Sequence, residues 1–350
     1  MEELLAQLRS ANPGVPDEVI WQFLQRRLHG ENREYPASFR SLLDGKNRPD
    51  EPASMQPAPE SFQLRSRCHC GKCKVVWDLD AHHLRVTRCY CPACRHHQAS
   101  SFASYLATGS PENGMPQFTG DVTKLQHVCD VLGSVARLMC SRCFTKLAVV
   151  PDSGARAGEV LLCMGSVEDD SIPDEVALKW QTCHEDWDHA SEPSWWRAKP
   201  ATSMLLRRSQ LLKGACSCGR CSFEAKLLPG EAQHCYCRLC RQMSGSVAQT
   251  WVPAEKVHFR WLRSETLRLV RTTGHGQRHL CTSCGTVMTI VYDSQPDCIW
   301  PAAGTFDDTQ LAEASSKDLM WYRVIHICCA YMQPWYLLPD DRLPRLKYAG

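Results

Sequence analysis

The sequence predicts a mainly β protein made of two tandem small domains, preceded by a short helical segment. Three observations carry that prediction. Cysteine is abundant, 22 of 350 residues. The cysteines fall into motifs that occur twice in the same order. Between the motifs lie short β-branched or aromatic runs bounded by turn residues, and no strong helical period spans either copy.

The duplication defines the domains. Cys68-His69-Cys70-Gly71-Lys72-Cys73 recurs as Cys216-Ser217-Cys218-Gly219-Arg220-Cys221. Cys89-Tyr90-Cys91-Pro92-Ala93-Cys94-Arg95 recurs as Cys235-Tyr236-Cys237-Arg238-Leu239-Cys240-Arg241, and the pair Cys140 and Cys143 as Cys281 and Cys284. The separation between copies is nearly constant, as a tandem duplication requires. The expected organisation is a helical segment at 1–44, a Pro-rich linker at 45–61, a first domain at 62–199, a linker at 200–210 and a second domain at 211–350.

In chain order, Leu4, Leu5 and Leu8 have helical spacing, and Asp17 can cap a second helix from Glu18 to about His29. This pair either packs on the first domain or docks a protein partner. Pro49, Pro52, Pro57 and Pro59 make the following stretch an extended linker. Within the domains, Lys74–Leu79, Ala248–Val252, Leu267–Arg271 and Val287–Tyr292 read as strands.

Charge and hydropathy narrow the function. A net charge of +2 excludes the strongly basic surface of a typical nucleic-acid binder. Arg260-Trp261-Leu262-Arg263 is a local basic-aromatic patch that reads more simply as a strand face. Mean hydropathy of -0.35 and the lack of a long apolar run speak against a transmembrane helix. Acidic residues follow Met1 where a signal peptide needs a basic region, so a cytoplasmic or nuclear location is expected. In such a reducing compartment, clustered thiols point to metal rather than disulfides.

Zinc takes four tetrahedral ligands, and four thiolates close a site. The natural sets are Cys68, Cys70, Cys140 and Cys143 in the first copy, and Cys216, Cys218, Cys281 and Cys284 in the second. Each set joins the start of a domain to its middle, so metal binding and folding are coupled. The central motifs supply three thiols each, Cys89, Cys91 and Cys94, and Cys235, Cys237 and Cys240. Three protein ligands leave a fourth position open, as in catalytic zinc sites; alternatively Cys73 or Cys221 closes it. Roughly two to four zinc ions per chain follow. Cys129, Cys163, Cys183, Cys298, Cys328 and Cys329 lack ligand spacing and read as ordinary buried thiols.

These motifs resemble the glutathione-dependent formaldehyde-activating enzymes, a family that shares its domain with centromere protein V. The second copy carries the likeness along nearly its whole length. Its marks are Gly214 to Cys221, Cys235 to Gly245, Arg278 to Gly285, Gly304-Thr305-Phe306-Asp307-Asp308, His326 and Gln333-Pro334-Trp335-Tyr336. The first copy departs: His96-His97-Gln98 follows Arg95, Phe144 stands where the second has Gly285, and Leu138 where it has His279. The resemblance implies a fold of mainly antiparallel sheets, shared with methionine sulfoxide reductase B. It also implies that Cys235, Cys237 and Cys240 hold the reactive zinc.

The chemistry implied is reversible carbon–sulfur bond formation at a thiol adduct, as in S-(hydroxymethyl)glutathione synthesis. Glutathione is the leading thiol, and its carboxylates call for Arg241 and Arg278. His279 is a candidate for proton transfer near neutral pH, or a hydrogen-bond donor to a zinc thiolate. Two other readings stand beside it: a carbon–sulfur lyase for another thiol conjugate, and a non-catalytic zinc protein that binds partners in the manner of centromere protein V.

Overall fold

The computed structural model describes residues 59–80, 84–107, 115–129, 135–152, 156–182, 184–186, 211–228, 231–307, 309–311, 323–338, 341 and 343–348. The expected helices at 1–44, the linker up to residue 58 and the junction at 200–210 lie outside them. Both repeats belong to one compact unit, Ser54–Lys347. No described helix is long and apolar enough to cross a membrane.

Among the described residues each repeat has ten strands in one order along the chain. In the first these are β1 Ser61–Arg67, β2 Cys73–Asp80, β3 Arg85–Cys89, β4 Ala103–Ala107, β5 Gln117–Gly120, β6 Leu125–Cys129, β7 Val135–Cys140, β8 Lys146–Pro151, β9 Leu161–Cys163 and β10 His184–Asp186. In the second they are β11 Leu211–Ala215, β12 Cys221–Leu227, β13 Glu231–Cys235, β14 Gln249–Trp251, β15 Ala254–Ser264, β16 Leu267–Arg271, β17 Gly276–Cys281, β18 Val287–Tyr292, β19 Cys298–Pro301 and β20 Arg323–Ile327. Pairing is antiparallel except where the last strand of each repeat returns parallel to the third, β10 on β3 and β20 on β13. The four expected strands are present as β2, β14, β16 and β18.

Alternation explains the core. Along β12, Cys221, Phe223, Ala225 and Leu227 are buried while the residues between them are half-buried. One face of the strand therefore packs inward and the other meets solvent. Phe223 packs against Phe259, Trp261 and Phe306.

Among the described residues three helices interrupt the strands: α1 Pro92–Gln98, α2 Asp174–Thr182 and α3 Arg238–Ser244. The first and third carry the last cysteine of each central motif. At seven residues, neither is long enough to show a helical period. Both end in the left-handed region, at Ala99 (φ 52°) and Gly245 (φ 79°).

The repeats meet through these helix ends in a reciprocal way. A Cβ on Gly165 would collide with the carbonyl oxygens of Arg241 and Ser246, and one on Gly304 with Ser100 and the carbonyl of Arg95. Ser100 Oγ donates to the carbonyl of Ala248 (2.7 Å) and Ser246 Oγ to that of Phe102 (2.7 Å). Equivalent surfaces thus face each other, as across a two-fold dimer interface. The symmetry is not complete. Fully buried Lys146 donates to the carbonyls of Met243 (2.7 Å) and Gly285, and burial pushes its pKa down to about 8.

Candidate functional site

Among the described residues the cysteines gather into four groups able to hold a metal ion. They are Cys68, Cys70, Cys140 and Cys143; Cys216, Cys218, Cys281 and Cys284; Cys89, Cys91 and Cys94; and Cys235, Cys237 and Cys240. Within each, the sulfurs lie within 4.8 Å of one another.

The two four-thiol groups are built alike. Gly71 and Gly219, both at φ 73°, turn the chain so that the backbone N–H of Cys73 donates to Cys68 Sγ (3.2 Å) and that of Cys221 to Cys216 Sγ (3.3 Å). Cys68 and Cys70 sulfurs are 3.5 Å apart, Cys70 and Cys140 3.8 Å, Cys216 and Cys218 3.5 Å, and Cys218 and Cys281 3.7 Å. Four thiolates at about 2.3 Å from zinc stand on a tetrahedron with edges of about 3.8 Å. The donor set fits that ion. Cys73 and Cys221 belong beside these groups: Cys73 Sγ reaches the carbonyl of Asp121 (3.8 Å), and Cys221 Sγ lies 3.4 Å from Thr266 Oγ1 and interacts with Cys216 and Cys281. Neither is directed at a central motif.

The central motif takes its geometry from a strand that runs into a short helix. Cys235 ends β13, Cys237 is the N-cap of α3, and Cys240 sits three residues into the helix, where its backbone N–H donates to Cys237 Sγ (3.4 Å). That is the bond an N-cap side chain ordinarily accepts, here made by a sulfur that is also available to a metal. Cys89, Cys91 and Cys94 repeat the arrangement on β3 and α1, with Cys94 N–H on Cys91 Sγ (3.4 Å). Tyr236 points the other way into the core, as its alternation between two ligands implies. Its hydroxyl bonds His326 Nδ1 (2.9 Å), whose Nε2 bonds Asp341 (2.9 Å).

The other candidate residues divide. Arg278 reaches the second cluster, its Nη2 donating to Cys240 Sγ (3.4 Å) and its guanidinium lying 5.8 Å from the centre of the Trp251 ring. Arg241 is also buried, but its hydrogen bonds go to the Tyr236 carbonyl (3.2 Å) and, in a two-pronged pair, to Asp169 of the first repeat (3.1 and 2.9 Å). It ties the repeats together. His279 lies next to Arg278 on β17, so its side chain takes the opposite face. There its Nδ1 bonds Thr289 Oγ1 (2.8 Å) and its ring packs against Trp261. Burial, helped by Lys256, lowers its pKa to about 4, so it is neutral at pH 7. That is unsuited to the proton transfer near neutral pH expected above.

Three features of the site were missed by the sequence reading. Gln249 is directly opposite Cys235 in the β13–β14 ladder, which places both side chains on one face. Its amide nitrogen and oxygen are fully buried without a hydrogen-bond partner among the described residues, and so are Trp251 Nε1 and Arg278 Nε. Cys328, read as an ordinary thiol, shares an apolar cluster with Cys235 and Cys240, and its side chain interacts with those of Cys235 and Cys237. Hydrogen bonding from Cys235, then Cys240 and Cys328, with a further push from the Arg278 charge, holds the Cys237 thiol well below its ordinary range; Cys235 moves up in exchange.

Two such zinc-compatible clusters per repeat agree with what comparison with known proteins shows of the family. The model of the glutathione-dependent formaldehyde-activating enzyme family matches residues 63–184 and 211–323. The chain belongs to this family. Its two matched segments are tandem family domains, mainly β, with cysteine clusters that could hold zinc. A solved structure described as a crystal structure of a Rhodobacter sphaeroides protein is 24% identical, covering 31% of this chain and 99% of that one, with a TM-score of 0.25. No curated protein matches the chain.

Proposed function

We propose that this family member is a zinc-dependent carbon–sulfur lyase working at the Cys235, Cys237 and Cys240 cluster of the second repeat. The substrate class is an S-hydroxyalkyl thiol adduct, with S-hydroxymethylglutathione the leading example through family membership. In the breaking direction, such an adduct gives a thiolate, an aldehyde and a proton. When bound, zinc supplies a positive centre that stabilises sulfur as thiolate.

The observation that carries this reading is the set of orphaned polar atoms beside the three sulfurs. Gln249 Nε2 and Oε1, Trp251 Nε1 and Arg278 Nε are buried with no partner among the described residues. Each costs about 1–3 kcal/mol while unsatisfied, so a polar ligand that completes them gains that amount. Gln249 and Trp251 can hold the adduct hydroxyl, while Arg278 balances thiolate charge at Cys240. Arg241 is committed to Asp169 across the junction and takes no part in holding the adduct.

Calorimetric titration tests it. Zinc-loaded protein should bind glutathione and other small thiols at millimolar concentration or below, and oxygen analogues not at all. Absence of thiol binding, together with tight zinc, favours the second reading, a non-catalytic zinc protein that binds partners. Cys328 is the observation in favour of that alternative, because a fourth thiol stands beside the cluster.

A further inference from the structure

A fourth thiol comes to the second cluster from far along the chain. β20 runs parallel to β13 in a register that pairs Ile327 with Cys235. The N–H of Tyr236 donates to the Ile327 carbonyl (3.1 Å), so the two strands stay locked where the motif begins. Cys328 is the next residue. It takes the left-handed conformation (φ 61°), uncommon for a side chain other than glycine or asparagine. Its carbonyl accepts from Tyr331 N–H (3.0 Å) in the turn that follows. The side chain is 6% exposed, in one apolar cluster with Cys235, Cys240 and Trp251, and it interacts with the sulfurs of Cys235 and Cys237. Cys329, its neighbour, packs in a different cluster.

The three motif cysteines form a compact group that does not include Cys328. Three thiols are thus fixed by the strand-to-helix turn, and the fourth comes from a strand end with its own backbone geometry. The orphaned amide of Gln249 and indole N–H of Trp251 lie in the same neighbourhood and call for a polar ligand. A site filled permanently by Cys328 would leave them without a purpose.

We infer that Cys328 is an internal fourth ligand that closes the second metal cluster at rest and gives way to an incoming thiol. This rests on the reading of that cluster as a zinc site. The exchange balances without oxidant or reductant. The incoming thiol enters as thiolate, its proton passes to the departing Cys328 sulfur, and the site keeps four sulfurs and the same charge. Cys328 then sets a threshold: only a ligand with a sulfur able to compete with a cysteine thiolate opens the site.

The test uses the full chain loaded with zinc and two variants, Cys328→Gly, which suits the left-handed backbone, and Cys328→Ala, with Cys329→Ala as a folding control. Zinc release to a colorimetric chelator and glutathione binding by calorimetry are both read. The Cys328 variants should release one zinc about tenfold faster, on the scale of losing a metal-supporting group, and should bind glutathione about tenfold more tightly. Cys329→Ala should change neither. Faster release without any glutathione binding by wild type or variants would keep Cys328 as a ligand and overturn the lyase reading. Unchanged release and unchanged affinity in both Cys328 variants would overturn this inference and leave the lyase reading standing.

Discussion

The central clusters of the two repeats have the same three cysteines on the same strand-to-helix turn and an arginine at the same strand position, Arg137 and Arg278, yet the residues on the strand opposite the first cysteine differ. The ladders give the correspondence. Cys89 pairs with Ala103 where Cys235 pairs with Gln249, and Thr87 pairs with Tyr105 where Gln233 pairs with Trp251. In the first repeat the Tyr105 hydroxyl donates to Cys94 Sγ (3.4 Å), and Arg137 also interacts with that sulfur. Hydrogen bonds from Cys89, then Cys91, with the Arg137 charge and the Tyr105 hydroxyl behind them, put the low-pKa thiol at Cys94 rather than at the N-cap cysteine. In the second repeat a methyl becomes an unpartnered amide, a bonded phenol becomes an unpartnered indole, and the low-pKa thiol is Cys237. Both clusters have a buried arginine with an unpartnered nitrogen among the described residues, Arg137 and Arg278, but the second adds an unpartnered amide and indole on the strand that faces its cysteines. Duplication followed by divergence at Ala103/Gln249 and Tyr105/Trp251 would give one chain two metal clusters with different linings.

The largest effect that breaks this comparison is removal of the metal frame that both repeats share. Cys281→Ser takes one of four thiols from a buried group that joins β11–β12 to β17–β18. The second repeat should lose several kcal/mol, enough to unfold it at ordinary temperature. Because Lys146 and Asp169 reach into that repeat, the first should melt at a lower temperature too. Circular dichroism melting with and without chelator reads both. A melting curve unchanged by Cys281→Ser would remove this residue from the structural group.

Next comes the contrast between clusters themselves. Cys237→Ser should abolish thiol binding and lyase turnover while the fold persists, since the four-thiol group is untouched. Cys91→Ser should alter either by less than about twofold, although it costs the first repeat its central metal. Equal losses from the two changes would mean two working sites.

Most of the metal frame was legible in the sequence because its ligands come in local pairs: C-x-C and C-x-x-C specify geometry within one turn. The contribution of Cys328 was not, since no motif marks it and only the parallel return of β20 onto β13 brings it near. Arg241 stood next to a ligand and looked free; its commitment to Asp169 crosses between repeats, which spacing within one repeat cannot show. The division between Arg278 and His279 is written in the strand itself. Neighbours on a strand take opposite faces, so only one of them could meet the cluster. Helices α1 and α3 escaped because seven residues make barely two turns.

A smaller effect concerns an asymmetric contact at the junction. Lys146 stands where the second repeat has Val287, and its ammonium is buried against two carbonyls of that repeat. Lys146→Met should cost about 2 kcal/mol at pH 7, because the carbonyls of Met243 and Gly285 lose a donor. The pH dependence has a definite sign. With the folded pKa lowered to about 8 and the unfolded value at 10.5, the unfolded chain holds more protons between those limits. Stability of the wild type therefore rises with pH across that window, by roughly 3 kcal/mol relative to the methionine variant. Urea midpoints of both proteins at pH 7 and pH 10 should show the gap widening. A gap that stays constant would place a counter-charge or water at the ammonium.

The smallest expected change in stability is also the sharpest test of what distinguishes the second cluster. Gln249→Leu replaces a buried amide with no partner by an apolar side chain of similar size. If the amide serves only the fold, its removal should be felt as lost packing. If it waits for a ligand, the free protein should be unharmed or slightly more stable, by up to about 1 kcal/mol, since an orphaned polar pair is gone. Turnover of an S-hydroxymethyl thiol should fall about tenfold, with zinc release unchanged, because one hydrogen bond to the adduct hydroxyl is worth about 1.4 kcal/mol at that factor. The reciprocal change, Ala103→Gln in the first repeat, should only destabilise, because Tyr105 already fills the place the amide would serve. A Gln249→Leu protein that keeps full turnover would leave the difference between the two clusters to Trp251 and Cys328 alone.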